Sequence, residues 1–200
     1  MSARARRSQA QMLADIHAAA LAELTEVGIG RMSMAGIAQR SGTARTSLHR
    51  RWSSPTEILL EAVEDNYPQE TVSPGLDDLR GDLIRALGFL ADWVTTPTAL
   101  AVEAILMERG RHPELAQALY ERVFDRNGGR FTRTVLLHYA EHGHLDPALV
   151  TDVVTDIGEA LVLKHLADNG SPPDSSLLAR IVDEAVLPAV GRPLVVDREP

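Results

Sequence analysis

Two short helical patterns meet at a single glycine in residues 33–52 (SMAGIAQRSGTARTSLHRRW), and few folds accommodate that arrangement. Ser33 is suited to cap a helix carrying Ile37 and Ala38 that ends around Arg40. Gly42 supplies the turn, because glycine tolerates positive φ, and a second helix follows from about Ala44. Ala38 is small enough to let two helices approach closely, and Leu48 is placed to lock the second onto the first. The outer side of that second helix is polar and basic: Arg45, Thr46, Ser47, His49, Arg50 and Arg51. Such a composition suits an element whose exposed face meets DNA. A plain αα-hairpin has the same outline. The DNA reading is preferred here because a strongly capped helix follows and the charge is segregated to match.

The chain carries a net charge of −8, which by itself argues against a nucleic-acid partner. Its distribution reverses that argument. Residues 1–54 hold eight Arg against Asp15, Glu23 and Glu26, a net of +5, while the rest holds twelve basic and twenty-five acidic residues, a net of −13. A basic head on an acidic body places the electrostatic footprint at one end. The absence of cysteine excludes a disulfide framework and any thiolate nucleophile or metal ligand. No apolar run reaches transmembrane length and no charged-then-apolar leader opens the sequence, so a soluble cytoplasmic protein with no membrane partner is expected.

Taken in order, residues 1–9 read as a polar arm with Arg4, Arg6 and Arg7, of the kind that reaches a minor groove or nearby phosphates. A first helix follows with Leu13, Ile16, Ala20, Leu24 and Val27 at spacings of three and four, ended by Gly28. Trp52 reads as core of the head. Ser54-Pro55-Thr56-Glu57 is a strong helix start, with Ser at the cap, Pro at the first position and Glu closing a capping box. The helix it opens fades near Tyr67-Pro68, and residues 68–75 form a loop. The clearest periodicity then runs through Leu76, Leu79, Leu83, Leu87, Leu90 and Val94, so this helix is expected at the centre of a core. Helices are expected over 98–109, over 113–142 with a break at Gly128-Gly129, from Asp146-Pro147 onward, and from Leu177 to near Pro188. The helix after Pro147 is apolar almost all round. With the last helix it is a candidate two-fold interface, carried by Val153, Ile157, Leu161, Leu178, Ile181 and Val182.

The residues of the head also carry a family likeness. Gly28, the Ile37-Ala38 pair, Gly42 and Leu48-His49-x-x-Trp52-x-Ser54 before an apolar helix closely resemble the TetR family of bacterial repressors. The resemblance departs at three positions: the family usually has Tyr at His49, Lys at Pro55 and Ser at Ala44, so Thr43 is expected to cap instead. It implies an all-α fold of about nine helices, in which a helix-turn-helix head over 1–54 joins a larger ligand-binding and dimerisation bundle over 55–190, with a tail at 191–200. It further implies a ligand-responsive regulator, a repressor in the family's usual mode, that binds a palindromic double-stranded DNA operator as a homodimer. The helix after Ser54 would transmit ligand binding.

Within that frame Arg45 and Thr46 are assigned to base edges, and Ser33, Ser47, His49 and Arg50, with Thr43, to the phosphate side. Trp93, Leu106, Met107, Tyr120, Phe124 and Phe131 are the effector-binding candidates, favouring an apolar or aromatic small molecule. His138, His142 and His144 do not make a metal site on this reading, because a helix C-terminus favours histidine and Gly143 breaks the geometry. No nucleotide loop, serine elbow or paired-glycine fingerprint is present, so neither a cofactor nor an enzymatic activity is expected. The rival reading is an all-α ligand-sequestering or protein-interaction module with a vestigial head. Effector, operator, regulated genes and the sign of regulation are not encoded in any motif.

Overall fold

The computed structural model describes residues 8–68, 76–124 and 131–191. The arginine arm, the loop after Pro68, the Gly128-Gly129 break and the tail beyond Gly191 lie outside those residues. Among the described residues every regular element is helical and there are no strands. By packing, the described parts of 1–67 and 96–126 form one compact unit, and those of 68–95 and 127–191 belong to a second. These divisions fall elsewhere than the boundary after residue 54 that the sequence suggests, because two helices from the middle of the chain pack with the head.

The first unit is built on α1 (Gln9–Val27), which starts four residues before Leu13 because the Ser8 hydroxyl accepts from the Gln11 amide at 3.1 Å. Gly28 ends it at φ 75°. α2 (Met34–Ser41) and α3 (Arg45–His49) follow, joined through Gly42 in the left-handed region at φ 63°. Ile16, Ala20, Ile37, Leu48, Trp52 and Ile58 close a core among α1, α2, α3 and α4 (Pro55–Asn66). The start of α4 keeps the expected cap, with Ser54 Oγ accepting from Glu57 N at 3.1 Å. The return bond is shifted by one residue: Glu57 Oε2 accepts from the amide and hydroxyl of Ser53 at 2.6 and 2.7 Å. Those bonds, the hydroxyl's first, hold the Glu57 carboxyl below the usual carboxylate range. α6 (Pro97–Met107) packs on α1 and α4, and α7 (Pro113–Leu119) packs on α4 and runs into a widened turn at Tyr120–Phe124.

The second unit forms around α5 (Leu79–Trp93). Leu83, Leu87 and Leu90 lie at its centre, against α8 (Phe131–Glu141), α9 (Asp152–Asn169) and α10 (Ser175–Ile181). Two expectations are corrected here. α5 starts at Leu79 and not at Leu76, because Asp78 caps it by accepting from the Gly81 amide at 2.8 Å, while Leu76 sits outside at φ 54°. Asp146-Pro147 opens only a short 3-10 turn (Pro147–Leu149), and α9 begins at Asp152 behind a Thr151 cap. The last helix widens at Val182–Val186 and closes with the turn Leu187–Ala189, so it ends near Pro188 as expected.

Inside this core the Tyr139 hydroxyl donates to Asp82 Oδ2 at 2.8 Å, and Arg85 pairs with the other carboxylate oxygen. Burial first, and the Asp82 bond second, push the Tyr139 pKa up to about 12. Gly158 is a point of close approach of α9 to α5 and α8: a Cβ there would lie 3.1 Å from both Leu87 Cδ2 and Thr132 Cγ2. Gly158→Val is therefore expected to overpack the core and destabilise the protein by about 1–3 kcal/mol, read from denaturant unfolding monitored by circular dichroism.

Candidate nucleic-acid interface

The geometry of the head begins with a buried carboxylate. Glu23 belongs to the apolar face of α1, between Ala20 and Val27, yet it is 5% exposed. Its Oε2 accepts from Arg40 Nε at 2.7 Å, and its Oε1 accepts from the Ser33 hydroxyl at 3.4 Å. Arg40 also pairs with Glu26. The Ser33 oxygen in turn accepts from the Gly36 amide at 3.0 Å and caps α2. Both ends of α2 are thereby tied to α1, with an acid near the helix N-terminus where the dipole favours it. A Cβ on Gly36 would lie 2.0 Å from Glu23 Oε1, so a side chain there would have to push that carboxylate off its bonds.

With α2 held, α3 is placed by Leu48 and Trp52, both buried. Arg45, Thr46, His49 and Arg50 are exposed on one side of α3, and Ser47 is half-buried. This is the face that spacings of three and four create. Arg45 Nε donates to His49 Nε2 at 3.2 Å, so in this state the imidazole presents an acceptor and not a proton to the arginine. Ala44 occupies the cap position with no side-chain bond, and Thr43 does not supply one: its amide goes back to the Ala38 carbonyl at 3.1 Å to close α2. The expected Thr43 cap is absent because α3 begins at Arg45, which puts Ala44 at the cap position and Thr43 one residue outside it. The Ser33 hydroxyl is engaged inside the head.

Behind α3 the indole N–H of Trp52 donates to Glu61 Oε2 at 2.7 Å, and Arg51 lies over the Trp52 ring at 4.8 Å while bonding Glu61 Oε1 at 2.5 Å. The reading of Trp52 as core is matched, with a polar anchor on α4 added to it. Glu23, Gly36 and Glu61 were missed by sequence reasoning. The legible signal was Glu23 itself, a charge set within the apolar stripe of α1.

The effector candidates fall into two groups, one in each unit. Trp93 and Phe131 lie with ring centroids 6.3 Å apart, and the exposed Phe89 adds a third ring 6.5 Å from Phe131. Tyr120 and Phe124 meet edge-on at 5.1 Å, and Phe124 lies 5.5 Å from Tyr67, the residue that ends α4. Leu106 is half-buried on α6, whereas Met107 is 79% exposed at the end of that helix. His142 Nδ1 lies 2.8 Å from the His138 carbonyl, in keeping with the helix-end reading of that histidine group.

Of the interface candidates, Leu178, Ile181 and Val182 are buried in the protomer's own core and are packing residues. Their side chains are covered by α5 and α9 before any partner arrives. Val153 is 76% exposed and Leu161 40%, with Ile157 half-buried beside them on the outer face of α9.

A turn between two helices, the second short, basic and exposed, defines a helix-turn-helix DNA-binding protein. Residues 16–62 match the family described as bacterial regulatory proteins, tetR family, and residues 73–185 match the tetracyclin repressor-like C-terminal domain. The chain belongs to the TetR family of transcriptional regulators, a family of regulators and not of enzymes. It is 26% identical over 178 residues to an uncharacterized HTH-type transcriptional regulator of Mycobacterium bovis, covering 89% of this chain and 87% of that one. It is also 26% identical over 173 residues to the DNA-binding transcriptional repressor TetR of Mycobacteroides abscessus, covering 85% and 89%. Its fold is similar to that of a TetR transcriptional regulator from Agrobacterium tumefaciens, with a TM-score of 0.65 and 19% identity over 91% of this chain and 94% of that one. No single helix among the described residues is long and apolar enough to cross a membrane.

Gly36→Ala and Glu23→Ala are each expected to lower the thermal midpoint by several degrees, since each dismantles the same tie between α1 and α2. The double variant should be no worse than the worse single one, and additive losses in differential scanning fluorimetry would separate the two residues energetically.

Proposed function

We propose that the protein is a ligand-responsive repressor acting in the cytoplasm, which binds a palindromic operator as a homodimer through α3. The observation that carries this reading is the exposed side of α3, where Arg45, Thr46, His49 and Arg50 project together from a helix whose other side is locked by Leu48. In a dimer the two copies of α3 enter major grooves about 34–36 Å apart, one turn of B-DNA. Arg45 and Thr46 read bases, and Ser47, His49 and Arg50 meet phosphates. On DNA, Arg45 exchanges its bond to His49 for a purine edge, and His49 is released toward the backbone. Thr43 and Ser33 contribute at the rim through whatever capacity their cap and core bonds leave.

The effector is an apolar or aromatic small molecule. Tyr120 and Phe124 are the favoured contacts, with Leu106 nearby in the same unit, because Phe124 touches Tyr67 at the end of α4. A molecule wedged among these rings bears directly on α4, whose middle is bonded to the head through Glu61, the partner of Trp52 and Arg51. Trp93, Phe131 and Met107 are secondary candidates. The dimer is formed by the outer face of α9, where Val153, Ile157 and Leu161 leave apolar surface uncovered in one protomer.

A gel shift on the DNA upstream of the protein's own coding sequence tests the reading. Retardation of a palindromic fragment, relieved by apolar aromatic compounds, supports it, and its absence favours a sequestering module. Arg45→Ala is expected to weaken specific binding by about 1–3 kcal/mol and to relax preference at one base position per half-site in operator selection. Leu161→Glu is expected to give folded monomers in sedimentation that no longer bind the palindrome, because an unpaired carboxylate in an apolar interface is costly. Ile181→Glu, by contrast, should unfold the second unit.

A further inference from the structure

His17 lies in the middle of α1, 4% exposed, facing α4. Its Nδ1 stands 3.5 Å from Asp65 Oδ2 and its Nε2 stands 3.6 Å from Glu61 Oε1. Glu61 and Asp65 are four residues apart on α4, which puts both carboxylates on the face that meets α1. The Nε2 atom is shut off from solvent and has no hydrogen-bond partner, and 3.6 Å is too long for one. A buried nitrogen left in this state is costly. Desolvation lowers the His17 pKa although Asp65 and Glu61 pull it the other way, so the ring is held neutral, the form that ligates metals.

We propose that His17, Glu61 and Asp65 form a site for a divalent transition cation of the zinc class, tying α1 to α4. Nε2 and Glu61 Oε1 are the direct ligands; their separation is the span of two donors on one ion with bonds of about 2.0–2.2 Å. Asp65, 3.5 Å from Nδ1, is the carboxylate placed to close on the Nδ1–H when the ion binds and to set the tautomer and the ring plane, as carboxylates behind metal-bound histidines do. The Glu61 side chain is partly exposed, so water reaches the ion from the Glu61 side and fills the remaining positions. A nitrogen and oxygen donor set without sulfur selects zinc-like ions over soft ones. One cation is already present: Arg51 bonds the same Glu61 Oε1, while Glu61 Oε2 remains with the Trp52 indole. The metal ion and the Arg51 guanidinium therefore compete for a single oxygen.

The test is zinc titration of the chelator-treated full-length protein, by calorimetry and by thermal denaturation. His142→Ala is used as background throughout, to remove the surface pair with His138. The expected result is one zinc ion per protomer and a thermal midpoint that rises with zinc concentration. Asp65→Asn, at an exposed carboxylate outside the core, should weaken binding about tenfold or more, and Glu61→Gln, which keeps an acceptor for Trp52, more still. Arg51→Ala should tighten binding by removing the competitor. Unchanged zinc affinity in Asp65→Asn and Glu61→Gln would overturn the site, as would no saturable binding at millimolar zinc. A midpoint that responds to pH but not to zinc would also overturn it, and would make the two carboxylates proton partners of His17.

Discussion

A helix of five residues has no stability of its own, since forming its first turn costs more than its few hydrogen bonds return. Yet the functional surface of this protein is such a helix, α3. Its existence depends on Leu48 and Trp52, which are buried against α1, α2 and α4 and hold the short turn in place by tertiary packing. The exposed residues of α3 are therefore positioned by side chains on its opposite face, and the precision of any DNA contact is inherited from the core of the head.

That core is unusual in how much polar chemistry it contains. Glu23 ties the start and end of α2 to α1, and Glu61 ties Trp52 and Arg51 to α4. Both acids sit where a hydrophobic residue would also pack. Charge pairs of this kind contribute little net stability when half exposed, but their directional bonds specify one geometry among several that an apolar core would allow. Arg51 lies two residues past the end of α3 and shares Glu61 with His17.

The head was largely legible in the sequence because its determinants are local. Ser33, Gly42, Ser54-Pro55 and the alternation of Ile37 and Leu48 each act within a few residues, and the structure realises all of them. Local rules also explain the misses. Leu76 and Asp146 both fit a helix start, but Asp78 and Thr151 cap better-placed helices a few residues on, and the chain takes those. The Thr43 cap failed because α3 starts one residue later than such a cap needs, with Ala44 at its N-cap. The interface candidates divide between two environments. Periodicity identified α9 as apolar on more than one face, but it could not distinguish the residues buried in the protomer's own core, Leu178, Ile181 and Val182, from those left open.

What the sequence alone determined is the set of helices, the turn between α2 and α3, and the basic character of one end of the chain. These follow from backbone conformation, capping and charge, which act over short distances along the chain. Only the tertiary structure decided that α6 and α7 pack with the head's helices, that Gly36 and Gly158 are points of close approach, and that His17 meets Glu61 and Asp65. Several amphipathic helices of similar length can satisfy one another's apolar faces in many pairings, and periodicity is blind to the choice among them. Steric fit at small residues and the need to satisfy buried polar atoms single out one pairing, and those depend on residues distant in sequence being brought together.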